Sequence, residues 1–162
     1  MAERTIVTWQ HTYSVGIKLI DEQHMELINL TNRLFKSCMA GKEQSNKAFL
    51  DIIPEAVDYI NYHFGTEEKV MERVYYPDYA RHKKEHELFV REVFSKVEDF
   101  NSGKILTPLS FVYFLKDWVL HHIAVSDKKV GEHLLAMSRS GELHRITVQV
   151  RKDPTTDRFQ FR

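Results

Sequence analysis

The chain has 162 residues, 28% of them charged and 43% apolar, and its 23 basic and 23 acidic side chains cancel to zero formal net charge. That composition suits a single soluble domain large enough to bury a core of its own. No basic block or stripe appears, which excludes nucleic acid and anionic membrane as the main partner, and no apolar run is long enough to span a bilayer. The start, Met1-Ala2-Glu3-Arg4, leads into polar sequence with no signal-like apolar region, and the single Cys38 cannot form an internal disulfide. A cytoplasmic location is the expectation from both.

Residues 1 to about 20 read as an irregular arm. Trp9, Tyr13, Val15, Ile17 and Ile20 are apolar without helical spacing, so the arm is expected to lie over the rest of the chain. A first helix is predicted from about Asp21 to Met39, because Leu27, Leu30, Leu34 and Cys38 recur at three- and four-residue intervals. Asp21 is the expected N-cap and Gly41 the expected stop. A second helix runs from about Ser45 to Met71, with Phe49, Ile53, Ala56, Val57, Ile60 and Phe64 on one face. Pro54 inside it should kink it or delay its start. A third runs from about Asp78 to Phe100, with Phe89, Val93, Val97 and Phe100 inward, and Asn101-Ser102-Gly103 ends it. The fourth opens at Pro108 after Thr107, a good first-turn position, and continues to about Met137. Its inward stripe is Phe111, Leu115, Trp118, His122 and Val125.

From residue 138 the pattern changes. Ile146, Val148 and Val150 alternate with polar residues, as do Phe159 and Phe161, and Asp153-Pro154-Thr155-Thr156-Asp157 between them is turn-like. The expectation is a two-stranded β-hairpin, which has to pack on the bundle or on a partner because a lone hairpin is marginal in water. Only four prolines and six glycines interrupt the whole chain. The predicted fold is therefore all-α: an up-down-up-down four-helix bundle over residues 1–137, with an N-terminal arm and a C-terminal extension over residues 138–162.

Nine histidines in such a chain call for an explanation. His63 and Glu67 are four apart on the second helix, and His82 and His86 are four apart on the third, so each pair shares a helix face. His24 lies in the first turn of the first helix, and the second half of the fourth carries His122 and Asp127. In an up-down-up-down bundle these places meet at one end. At about 1.5 Å rise per residue, all seven side chains fit within a layer roughly 10–15 Å deep. Seven donors are too many for a single four-coordinate ion and suit two metals bridged by carboxylates. Imidazole and carboxylate without thiolate allow iron, zinc, manganese or copper. His122 and Asp127 are five apart, about 140° around an ideal helix, so a wide π-type turn is needed to bring them together. Residue spacing alone leaves His121 and His122 both open, although the inward stripe favours His122.

The segments Asp21-Glu22-Gln23-His24, His63-Phe64-Gly65-Thr66-Glu67, His82-Lys83-Lys84-Glu85-His86 and Trp118-Val119-Leu120-His121-His122-Ile123-Ala124-Val125-Ser126-Asp127 resemble the hemerythrin family, and within it the bacteriohemerythrins. Trp9 and Val15-Gly16-Ile17 match as well, and the resemblance covers about residues 5 to 135. It implies that His82, His86 and His122 bind one iron and that His24 and His63 bind the other. Glu67 and Asp127 bridge them together with an oxo or hydroxo group. It further implies reversible binding of dioxygen at the open position of the two-histidine iron, for carriage, storage or delivery, without enzymatic turnover. Leu27, Phe64, Trp118 and Val119 are placed around the oxygen pocket. Many members of the family carry leucine where this chain has Val119, so a slightly roomier pocket and faster autoxidation are expected here.

The remaining polar residues read blandly. His11, His133 and His144 are expected at the surface, His121 is expected to point away from the site, and Glu68 and the charges from Arg81 to Glu87 are expected to be solvated. Cys38 reads as core. Two other functions compete with oxygen carriage. One is an oxygen or redox sensor that signals, or self-associates, through the C-terminal tail. The other is a di-iron peroxidase or nitric-oxide-handling enzyme.

Overall fold

A computed structural model of the chain describes residues 5–39, 41–104 and 107–143. Among these residues there are helices and no strand. Helix α1 spans Lys18–Cys38, α2 Lys42–Arg73, α3 Tyr79–Asn101 and α4 Pro108–His122. A π-helical turn over Ile123–Asp127 joins α4 to α5, Lys128–Ser140. Backbone angles stay right-handed helical through His122, Ile123 and Lys128, so α4, the π turn and α5 continue one another as the expected fourth helix. That helix extends to Ser140, beyond residue 138. The expected hairpin, Ile146 to Phe161, and His144 lie outside the described residues.

The helices form where apolar side chains repeat along one face and pack across the bundle. Leu34, Phe49, Ile53, Ile60, Phe89, Val93, Phe111, Val112 and Leu115 make one buried core from α1 to α4. α1 packs on α2 and α4, and α2 packs on α3 and α4. Far from the histidine layer, Phe49 meets Phe100 at 4.4 Å and Phe111 at 5.1 Å between ring centroids. The start of α2, the end of α3 and the start of α4 therefore share one end, as antiparallel neighbours must. Thr107 caps α4: its side chain accepts from the Ser110 amide while the Ser110 hydroxyl accepts from the Thr107 amide, and Pro108 follows. This is a reciprocal cap that satisfies two otherwise orphaned donors.

Several boundaries differ from the periodicity. α1 begins three residues before Asp21, with Ile17 at its N-cap. Asp21 instead turns outward to the arm, accepting from the Val15 amide at 2.7 Å and the Ser14 hydroxyl at 2.6 Å. Gly41, at φ 97°, directly precedes α2 as its N-cap. α2 runs from Lys42 through Pro54 without waiting for it, so Pro54 does not delay the start. Val125 is exposed rather than inward, because the π turn inserts an extra residue and presents Ile123, Ser126 and Asp127 to the interior.

The arm packs on the bundle as its apolar residues lead one to expect. The Ile6 and Val7 amides donate to Asn32 Oδ1, and Asn32 Nδ2 returns a bond to the Val7 carbonyl at 2.8 Å. Val7 and Val15 are buried. Farther along, Lys128 Nζ donates to the Ser14 carbonyl at 2.6 Å. At Gly131 the arm comes so close to α5 that an added Cβ would stand 2.0 Å from the Val15 carbonyl oxygen. Backbone cannot yield as a flexible side chain can, so Gly131→Ala is expected to lower unfolding stability by about 1–3 kcal/mol. Urea denaturation against the unaltered chain checks this, and an unchanged midpoint would mean that the arm is free to lift.

Candidate metal centre

The π turn solves the spacing problem on the fourth helix. His122 is the last residue of α4 and Asp127 the last of the turn, and five residues per closure carry both side chains to the same face. His122 Nε2 lies 3.1 Å from Asp127 Oδ1. His121 is exposed and faces away. His24 enters from the second turn of α1, His63 and Glu67 from the last third of α2, and His82 and His86 from the first two turns of α3. All seven are buried.

Their donor atoms form two groups. Glu67, His82, His86, His122 and Asp127 bring one atom each within 4.8 Å of one another, and so do His24, His63, Glu67 and Asp127. In the first group the three Nε2 atoms form a nearly equilateral triangle: His82 to His86 3.1 Å, His86 to His122 3.0 Å, His122 to His82 3.1 Å. Each carboxylate turns one oxygen to each group. Asp127 Oδ2 is 3.1 Å from His24 Nε2, while Oδ1 is 3.2 Å from His82 Nε2. Glu67 Oε1 is 3.5 Å from both His24 and His63, while Oε2 is 3.2 Å from His86.

This arrangement is unsatisfied without a cation. Among the described residues, the buried side-chain atoms lacking a hydrogen-bond partner are both ring nitrogens of His24, Glu67 Oε2, both Asp127 oxygens and His133 Nε2. All but the last belong to this site, and burying such groups unpaired is unfavourable. The triangle is small enough for one ion, with metal–nitrogen bonds of about 2.1 Å, to meet all three nitrogens.

Electrostatics point the same way. Burial alone would lower the His24 pKa, yet Asp127 and Glu67 outweigh it and raise it to about 9. His82 behaves alike, also reaching about 9. His63 goes the other way, pushed down to about 4 by burial against a weaker pull from Glu67. Burial works to raise both carboxyls, but the imidazoles around them hold Glu67 and Asp127 well below their usual range. Two ionised carboxylates in an apolar bundle require positive charge, and protons on histidine supply it wherever metal does not.

The outward nitrogens of three of the imidazoles have partners. His86 Nδ1 meets Glu68 Oε1 at 3.2 Å, and Lys83 Nζ stands 3.0 Å from Glu68 Oε2. His122 Nδ1 is 3.3 Å from Glu85 Oε2, which also accepts from the Ser126 hydroxyl at 2.5 Å. His63 Nδ1 meets Gln23 Oε1 at 3.0 Å, and Gln23 is tied to Thr66. Glu68 and Glu85 are therefore not the solvated charges expected from periodicity, because each leans over the neighbouring helix. Gln23 is a polar residue buried on α1, and its sequence signal was its place beside His24 in the segment Asp21-Glu22-Gln23-His24. His133 is likewise half-buried, edge-to-face against Tyr76 at 5.3 Å, rather than a surface residue.

Leu27, Phe64 and Val119 are buried in one core cluster, and Trp118 packs against it. Phe64 stacks on the His86 ring at 3.8 Å and 2°, and Trp118 on the His122 ring at 4.4 Å and 14°. On the arm side, a small, water-sized cavity of about 10 Å³ borders Glu67 and Asp127 and is lined by Val15, Ile17, Ile20, Val70 and Val130.

A bundle that converges five histidines and two shared carboxylates on one buried layer defines a dinuclear non-haem metal protein. Residues 15–134 match the hemerythrin HHE cation-binding domain, so the chain belongs to the hemerythrin family. It is 31% identical over 131 residues to a bacteriohemerythrin of Stenotrophomonas maltophilia, covering 81% of this chain and 83% of that one. It is 35% identical over 121 residues to a bacteriohemerythrin of Pseudomonas aeruginosa, covering 75% and 76%. The crystal structure of a wild-type hemerythrin superposes with a TM-score of 0.68 at 26% identity, over 80% of this chain and 98% of that one. Membership carries the class of chemistry with it: a non-haem di-iron centre that binds dioxygen.

The shifted histidines set a pH dependence for the chelator-stripped protein. A raised folded-state pKa stabilises fully below the unfolded value and loses that contribution above it. His24 and His82 should therefore stabilise the stripped chain below pH 6.5, and their contribution should fade as pH rises through about 9. Metal ligation requires neutral imidazole, so iron loading removes this dependence. Denaturation midpoints between pH 6.5 and 9.5 should fall for the stripped protein and stay level for the iron-loaded one. Parallel curves would refute the assignment.

Proposed function

We propose that His82, His86 and His122 hold one iron, that His24 and His63 hold the other, and that Glu67 and Asp127 bridge them in a centre for reversible dioxygen binding. The observation that carries this reading is the sharing of carboxylate oxygens. Each of the two acids faces the three-imidazole group with one oxygen and the two-imidazole group with the other. The three-imidazole group has five donor residues and the other has four. The donor-poor side is thus the one with room for a small exogenous ligand. When bound, the iron pair supplies reversible two-electron chemistry toward dioxygen.

The chain's own residues provide the rest. Phe64 and Trp118 cover the faces of His86 and His122 and hold the rings in place. Leu27 and Val119, with Phe64 and Trp118, wall the site with apolar surface and keep bulk water from the iron. Both carboxylates serve as bridges, and Cys38 lies at the far end of α1. This favours binding over turnover, and oxygen carriage, storage or delivery is the role it suits. No helix among the described residues is long and apolar enough to cross a membrane.

Anaerobic loading with ferrous iron, metal counting and visible spectra through oxygen addition and removal test the reading. Two irons per chain and an absorption band that appears with oxygen and vanishes on its removal are expected. Irreversible oxidation without such a band would point to an enzyme or redox sensor. Less than one metal per chain would refute the ligand assignment.

Val119 is buried in the same core cluster as Leu27 and Phe64. Val119→Leu adds one methylene to that wall and should slow ferric accumulation in air by a few-fold, on the order of the effect of one methylene group on a binding step. The rate of spectral decay of the oxygenated protein measures it. An unchanged rate would show that Val119 does not govern access.

A further inference from the structure

The imidazoles of the two donor groups are backed unequally. On the three-imidazole side, His86 Nδ1 faces the Glu68 carboxylate at 3.2 Å and His122 Nδ1 faces the Glu85 carboxylate at 3.3 Å. Both acids are held in place from outside. Lys83 lies 3.0 Å from Glu68, Arg81 lies 3.6 Å from Glu85, and the Ser126 hydroxyl donates to Glu85. On the two-imidazole side, His63 Nδ1 meets a neutral amide oxygen, that of Gln23 at 3.0 Å. His24 Nδ1 is buried with no hydrogen-bond partner among the described residues.

An imidazole whose outward N–H donates to a carboxylate gains basicity at the nitrogen facing the metal. The hydrogen bond is charge-assisted and stronger than one to a neutral oxygen. A carboxylate also adds negative charge near the ion, which favours the higher oxidation state. An amide oxygen orients the ring without adding charge.

We infer that Glu68 and Glu85 are positioning residues that make the two metal sites electronically unequal: they tighten the site of His82, His86 and His122 and favour its ferric state, while Gln23 leaves the His24 and His63 site the more labile. This rests on the di-iron reading above. The iron at the three-imidazole site is then the last to leave and the first to be oxidised. The weaker hold falls on the side with fewer donor residues, where an exogenous ligand has room.

The test uses the iron-loaded full chain, in three variants: Glu68→Gln, Glu85→Gln and Gln23→Glu. Each keeps an oxygen acceptor for the facing ring nitrogen and changes only its charge. The readouts are the kinetics of iron release to a chelator under anaerobic conditions and the reduction potential of the loaded centre. The unaltered protein should release its iron in two phases. Glu68→Gln and Glu85→Gln should speed the slow phase by about 10–100-fold and raise the potential. Gln23→Glu should slow the fast phase and lower the potential, which a purely structural role for these residues does not predict. A single release phase in the unaltered protein, or slow-phase rates and potentials unmoved in both Gln variants, would overturn the proposal. Failure of the unaltered chain to take up two irons would instead overturn the di-iron reading on which it rests.

Discussion

The structure depends on burying two carboxylates in the middle of an otherwise apolar bundle. Glu67 and Asp127 are almost wholly removed from water, and the ion pairs given for them among the described residues are all with imidazoles. Isolated buried charge is far too unfavourable to persist. Five histidines from four helices answer it, and a pair of cations at their centre answers it better. The helices converge on this layer because each must deliver one or two side chains there. The antiparallel order puts the start of α1, the end of α2, the start of α3 and the end of α4 at the same level.

Two departures from regular geometry serve that layer. The π turn at Ile123–Asp127 rotates Asp127 back into line with His122, and it turns Val125 outward in doing so. Such turns disturb the regular hydrogen-bond ladder and are found mostly at functional sites. The arm is the other departure. Asp21, Lys128 and the close approach at Gly131 clamp residues 14 and 15 against the first and last helices. The clamp closes the carboxylate side of the site, where the cavity bordered by Glu67 and Asp127 remains. Access, charge and helix geometry are thus coupled at one end of the molecule, while the phenylalanine-rich opposite end carries ordinary packing.

Around the donors runs a ring of polar contacts that differ in kind from one side to the other. Carboxylates back His86 and His122, and an amide backs His63. Each contact crosses from one helix to the next: Glu68 from α2 to α3, Glu85 from α3 to α4, Gln23 from α1 to α2. The same bonds that tie the helices together also aim the rings. Stability and donor strength therefore cannot be varied independently at these positions, and this is why amide-for-carboxylate exchanges are the informative substitutions.

Much of this was legible in the amino-acid order. The three- and four-residue recurrence of Leu27, Leu30 and Leu34, of Phe49, Ile53 and Ile60, and of Phe89 and Val93 marks helices and their buried faces, because helical period and burial are local properties. The i,i+4 pairs His63–Glu67 and His82–His86 are local too, and the five-residue gap from His122 to Asp127 announces a wide turn. What only the tertiary structure decided are features set by a neighbouring element. Asp21 looked like a cap and proved to be an arm clamp, since the arm, not the helix, supplies its donors. Glu68 and Glu85 looked solvated from their own helices and face imidazoles on the next. His133 looked superficial until Tyr76 was placed against it. A helix's own period says which side faces inward, but not what stands across from its flanks, and those flanking contacts exist only once the helices have packed.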